Sequence, residues 1–361
     1  MARLQLRRRH EHGATLVAIM VALVISFTVS LGVYSSLAMF EGNRRSLVGG
    51  DTVLENALAA MSEVQRGIKH AGASVLLQGS LYCPTINIYY DGDVIADNAP
   101  LAPVLIADGG SGSDRVTVTY SNSLFGSMQN RVVEDMPTPS AILKVNTSVG
   151  LAVSDLFLIG MPGSSLPCSL KQVTSFPPAG PSWVDVQTNP GASGPWNPPN
   201  PATVFSNAPR YPAGSILMRI GRFNWLAYEV VNNRLQVTDL ITDTTEVIAE
   251  HVVAMKAWYG TSDGTNKNIE QWIRATGSWA APSATQITAV RGVQLAMIVR
   301  NPNHYKTTRS DGACDATTTA SVEMWPAGPA FDLATLGADW SCFKYRTVSL
   351  VVPLRNVIYG E

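Results

Sequence analysis

The feature that most restricts this chain is a run of 27 residues, Ala14 to Phe40, without one charged side chain. Wound as a helix at about 1.5 Å per residue, it would reach ~40 Å, enough to cross a hydrocarbon core of ~30 Å. Four arginines precede it (Arg3, Arg7, Arg8, Arg9) against a single acid, Glu11. Such a basic cluster keeps the start of the chain cytoplasmic and predicts export of everything after Phe40. A cleaved secretory signal has a shorter apolar region with a small-residue cleavage site behind it. No Ala-x-Ala site follows this run closely, so hydropathy alone predicts a signal anchor.

Past Phe40 the apolar spacing changes. Leu47, Leu54, Leu58, Met61, Val64 or Gln65, and Ile68 recur at steps of three, four and seven. That spacing marks one stripe of an amphipathic helix, opposite Asp51, Glu55, Glu63, Arg66 and Lys69. Gly49-Gly50 is expected to loosen the helix midway, and Gly72 to stop it. Beyond Gly72 the pattern turns to strands. Arg115–Tyr120, Ser215–Ile220, Trp225–Val231 and Arg234–Leu240 alternate, and Asn232-Asn233 is a two-residue hairpin signal. Glu246–Met255 has helical spacing but could equally enter a strand at Lys256–Tyr259. Val290–Arg300 and Arg346–Ile358 read as strands, the second as a core strand. Phe176–Pro212 is proline-rich and reads as an extended loop between two sheet-containing lobes. The fold class expected is α+β: a long amino-terminal helix, its second half packed on β-rich lobes with long loops. The organisation expected is a basic leader at 1–13, a membrane or filament-core helix at 14–40, an amphipathic helix at 41–73, a first lobe at 74–175, the loop region at 176–212 and a second lobe at 213–361.

The residues that carry chemistry are sparse. With 26 Lys+Arg against 27 Asp+Glu and only 15% charged residues, no basic field is available for nucleic acid. The histidines lack H-x-x-x-H spacing, and there is no G-x-S-x-G elbow, so no enzyme is expected. Gly109-Gly110-Ser111-Gly112-Ser113 lacks the lysine of a phosphate-binding loop and reads as a flexible turn. Asp91-Gly92-Asp93 and Asp263-Gly264-Thr265-Asn266 could each offer oxygens to calcium. Neither has the spacing of an EF-hand loop, so both read as turns, and no metal or other cofactor is expected. Four cysteines, Cys83, Cys168, Cys314 and Cys342, include no C-x-x-C pair, and behind an export signal they favour disulfides. Three pairings are possible; proximity in sequence favours Cys314–Cys342, which leaves Cys83–Cys168. Trp196, within Pro195-Trp196-Asn197-Pro198-Pro199, is either an anchor for a partner or a cover for its own sheet.

The junction at Gly13, followed by Ala14-Thr15-Leu16-Val17, resembles the prepilin leader of type IV pilins and type II secretion pseudopilins. That resemblance implies cutting after Gly13 by a prepilin peptidase and N-methylation of Ala14. The family usually begins its mature chain with Phe and has Glu as the fifth mature residue, where this chain has Ala14 and Ala18. Further motifs lie along the full length: Glu55-Asn56-Ala57, Gly67–Gly72, Gly112-Ser113-Asp114-Arg115-Val116, Asp155–Leu158, Gln172-Val173-Thr174, Val252–Gly260, Tyr345–Val348 and Val352–Asn356. In this order they resemble PilW-family minor pilins of the type IV pilus. The resemblance implies a structural subunit that primes pilus assembly and helps form a tip complex presenting a large adhesin. Its implied partners are other minor pilins, the major pilin, the prepilin peptidase and the inner-membrane assembly platform. Its implied location is the inner membrane with a periplasmic carboxy-terminal domain, then the pilus tip. A type II secretion minor pseudopilin and an unprocessed membrane-anchored binding protein are the alternatives.

Overall fold

The computed structural model describes residues 16–77, 80–122, 129–178, 180, 182–263, 267–305 and 309–359, with side chains at 38 and 41–52 left aside. The chain divides into two compact units, Met1–Thr52 and Val53–Glu361. A single helix, Leu16–His70, contributes to both and continues through Gly49-Gly50 without interruption. It ends where Gly72 takes φ +87° and donates its N–H to the Thr119 carbonyl at 2.9 Å. A glycine tolerates that left-handed conformation without the Cβ penalty, which is why the stop falls there.

The face of this helix that the second unit buries is Val53, Ala57, Ala60, Met61, Val64 and Ile68, with Ala71 buried just past its end. Met61, Val64 and Ile68 of the expected stripe are buried, but Leu54 is 36% and Leu58 50% exposed, and two alanines, Ala57 and Ala60, stand in the buried face instead. Small residues let the sheets approach the helix axis closely, and a stripe that enters through Leu54 and Leu58 starts off the true contact. The side chain of Leu47 lies outside the described residues.

Among the described residues three larger sheets build the body, with three two-stranded ribbons beside them. The six-stranded one runs Asp93–Pro100, Thr85–Tyr90, Cys168–Gln172, Leu156–Gly160, Ile216–Arg219, Gln129–Arg131. All its pairs are antiparallel except Thr85–Tyr90 with Cys168–Gln172. The five-stranded sheet runs Thr244–Glu250, Arg234–Asp239, Phe223–Val231, Arg115–Ser121, Val104–Ala107. The four-stranded sheet runs Gln271–Ile273, Val252–Thr261, Val290–Arg300, Tyr345–Pro353. The helix face, the five-stranded sheet and the four-stranded sheet share one core.

These pairings cut across the expected boundary at 176–212. Ile216–Arg219 pairs with Leu156–Gly160, and Phe223–Val231 with Arg115–Ser121, so both flanks of the loop build the same sheets. The loop region itself supplies a strand, Val184–Val186, against Leu143–Val145. Two lobes split at that segment would have broken both ladders.

Two further expectations change. Glu246–Met255 is not helical: it spans the strands Thr244–Glu250 and Val252–Thr261, with His251 at φ +64° turning the chain between them. Val252–Thr261 is central in its sheet and buried almost throughout, and such an apolar run carries no readable period. Arg346–Ile358 is a strand only to Pro353, after which Arg355–Tyr359 is helical. That strand lies at an edge, with Val348 and Leu350 half-buried and Val352 buried. The Asn232-Asn233 hairpin stands as expected, with φ of +52° and +60°. Two successive positive values match the mirror-image turn that fits strand twist.

Candidate functional site

Leu16–Leu37 is long and apolar enough to cross a membrane, and every side chain in it is exposed. Twenty-two residues of helix span about 33 Å. Three of its hydroxyls bond back to the helix: Thr28 Oγ1 donates to the Ile25 carbonyl, and Ser35 and Ser36 to that of Gly32, each at 2.9 Å. A hydroxyl satisfied within its own helix does not oppose burial in hydrocarbon. Such a surface is uncovered in this unit and fits a membrane or other apolar helices. Ala18 lies within it, exposed. Gly13 and Ala14 fall outside the described residues.

The second unit is held together by contacts between segments far apart in sequence. Asp114 and Lys256 are both buried, at 2% and 3% exposure, and their side chains meet at 2.7 Å. The other Asp114 oxygen accepts the Ala257 N–H at 2.9 Å, while Asp114 donates its own N–H to the Met255 carbonyl at 2.8 Å. Lys256 Nζ also donates to the Gly110 carbonyl at 2.9 Å, and Asp108 binds Arg274 at 2.9 Å. The glycine-rich segment expected as a flexible turn is therefore a pinned loop. A buried ammonium without such partners would be prohibitively costly.

A comparable tie closes the helix. Asn356 Nδ2 donates to the carbonyls of His70 and Ala71, both at 3.0 Å, satisfying groups that the helix end leaves open. Nearby, Gly67 gives room to Tyr228, whose hydroxyl would stand 2.6 Å from a Cβ at that position. In the six-stranded sheet Arg219 bonds Asp155 at 2.8 Å, and Leu156 pairs with Gln172. The short motifs scattered along the sequence thus meet one another: 112–116 with 252–260, 67–72 with 352–356, and 155–158 with 172–174. Sequence reading missed Lys256 and Asn356 as ties, although a lysine inside the apolar run Val252–Gly260 was a visible signal.

Disulfides join Cys83 to Cys168 and Cys314 to Cys342. The first is buried beneath Gly160, where any Cβ would collide with both sulfurs. Tyr82, beside it, donates its hydroxyl to the carbonyls of Gly160 and Ile216. Burial pushes the Tyr82 phenol far above its ordinary value. Trp196 is half-buried on Tyr90, with ring centroids 4.5 Å apart, and its neighbour Pro195 accepts the Asp91 N–H. Its ring therefore covers its own sheet. Asp91-Gly92, with φ of +47° and +105°, turns the hairpin between Thr85–Tyr90 and Asp93–Pro100. Gly264-Thr265-Asn266 falls outside the described residues.

The family model described as Type IV Pilus-assembly protein W, PilW, matches residues 229–356. That span holds Lys256, the whole four-stranded sheet, the Cys314–Cys342 bridge and Asn356. Neither the curated proteins nor the solved structures contain a match to this chain.

Proposed function

We propose, from the assignment of this chain to the PilW family of type IV pilus-assembly proteins, that it is a structural minor pilin acting in the priming and tip complex. The match over 229–356 is the observation that carries this reading. The exposed apolar helix in front of the stapled body supports it, because an insertable helix joined to an exported domain is what a pilus subunit needs. On this reading the helix resides first in the inner membrane and then among the helices of other pilins. The body would face the periplasm, a compartment in which disulfides form, and later help to present a large adhesin. Minor pilins, the major pilin, the prepilin peptidase and the assembly platform are its proposed partners. No catalytic role is proposed.

Two measurements test it. Deleting the chain should abolish or sharply reduce surface pili, with restoration on re-expression; normal piliation with a secretion defect instead would reassign it to a secretion pseudopilin. Mass spectrometry of the purified protein should find a chain beginning at N-methylated Ala14. Gly13→Leu should remain uncut, because a peptidase that fits closely to the backbone there has no room for a side chain. Normal processing of Gly13→Leu would sink the prepilin reading.

A further inference from the structure

The two disulfides sit in different surroundings. Cys83 and Cys168 are 1% and 0% exposed. Cys314 is half-buried, and the exposed imidazole of His304 stands beside its bridge to Cys342. One ligand atom from each of His304, Cys314 and Cys342 lies within 4.8 Å of the other two. Zinc–sulfur bonds of about 2.3 Å and zinc–nitrogen bonds of about 2.0 Å put tetrahedral ligands some 3.5 Å apart, so the imidazole must come in by about 1 Å, and the two sulfurs, once the bridge is opened, must part from about 2 Å to about 3.7 Å.

The backbone that carries these three residues is tied independently of the sulfur bridge. Tyr305 donates its N–H to the Cys342 carbonyl at 2.9 Å, and Thr317 to that of Ser341 at 3.1 Å. The His304 ring meets Phe343 edge-on at 5.5 Å. Met324, Phe331 and Leu333 hold the intervening loop onto Val253, Ala254, Ala296 and Ile298. Opening the bridge would therefore leave the ligands near one another.

We propose that His304, Cys314 and Cys342 form a redox-gated site for a soft divalent cation of the zinc type. A dithiol delivers two electrons and two protons to the Cys314–Cys342 bond and is itself oxidised to a disulfide. The two thiols then bind the cation as thiolates with release of two protons, and neutral His304 supplies the third ligand. The fourth position is left to water or to a partner's side chain. While the bridge is closed, no thiolate exists and the site is silent.

The test uses the full chain in detergent. It is reduced under native conditions with a trialkylphosphine, which is then removed without oxygen, and Zn2+ is the probe. Alkylation and peptide mass should find Cys314 and Cys342 opened first, with Cys83–Cys168 intact in the same molecules as the report that the body is folded. The reduced protein should take up one zinc per chain more than the oxidised protein, and zinc should shield both thiols from alkylation. His304→Ala should weaken this uptake by about tenfold or more, as loss of a ligand costs no less than loss of an outer-shell partner. Simultaneous opening of both bridges, equal zinc uptake before and after reduction, or undiminished uptake by His304→Ala would each overturn the proposal.

Discussion

Individual residues fix the second unit through charge and through missing atoms. Asp114 holds the Lys256 ammonium at 2.7 Å in a pocket that water hardly reaches. Removing one member of such a pair strands the other, at a cost of about 3–5 kcal/mol. Asp114→Asn should therefore lower the denaturant midpoint strongly. The double variant Asp114→Asn with Lys256→Met should recover most of that loss, since a buried ion pair is replaceable by apolar packing. Equal destabilisation of single and double variants would show that the loop, not the charge, matters. Gly160 acts by absence: an added Cβ would stand 2.7 Å from Cys168 Sγ and 3.2 Å from a Tyr82 ring carbon. Overpacking of this kind costs about 1–3 kcal/mol. Gly160→Ala should shift the thermal midpoint downwards accordingly, and a wild-type melt would refute the collision.

At the scale of elements, the helix Leu16–His70 is where sequence and packing disagree in detail. Ile68 is fully buried, whereas Leu58 is 50% exposed. Ile68→Ala should cost about 2–5 kcal/mol, while Leu58→Ala, on the solvent side of the body, should stay within about 0.5 kcal/mol. Paired denaturant titrations of the two variants check this: Ile68 lies in both the expected stripe and the observed face, so the loss in Leu58→Ala is the result that separates them. The difference shows what a sequence carries openly. A run without charge, a glycine stop at Gly72 and the Asn232-Asn233 turn are local, and local sterics or solvation are enough to read them. The buried face of the helix depends on which sheets lie across it, and those sheets join strands a hundred residues apart. The Lys256–Asp114 tie is non-local in the same way: 252–260 alone presents an unexplained lysine, and 109–114 alone presents a plain turn. A proline-rich stretch suggested a domain boundary because composition reports loop character and says nothing of which strands pair around it.

The whole molecule responds to pH and to its neighbours. Lys171 is buried in the six-stranded sheet, and desolvation lowers its pKa from 10.5 to about 8. Between those values the unfolded chain binds the proton that the folded chain has released, so stability rises with pH across about 8 to 10.5. A full gap of that size corresponds to about 3 kcal/mol. Burial raises the phenols of Tyr82, Tyr211 and Tyr228, and takes Tyr259 to about 12. These groups keep their protons in the folded chain after the unfolded chain has lost them, so stability falls again above pH 10. Lys171→Met should remove the rising limb and leave the falling one; a rise that persisted would have another origin. Ala18 sets the last expectation, which belongs to the assembled pilus and rests on the proposed tip role. Resemblance to pilins implies that a glutamate at this place pairs with the terminal amine of an earlier subunit inside the apolar filament core. An unpaired carboxylate in such surroundings costs on the order of 2.5–3.5 kcal/mol. A subunit at the leading position has no earlier amine to neutralise, so alanine is the cheaper residue there. The protein should then be present at about one copy per pilus, confined to the tip under immunogold, and Ala18→Glu should bring no gain in incorporation. Label along the whole shaft, or a marked increase in incorporation with Ala18→Glu, would place the chain among ordinary shaft subunits whose missing carboxylate is a defect.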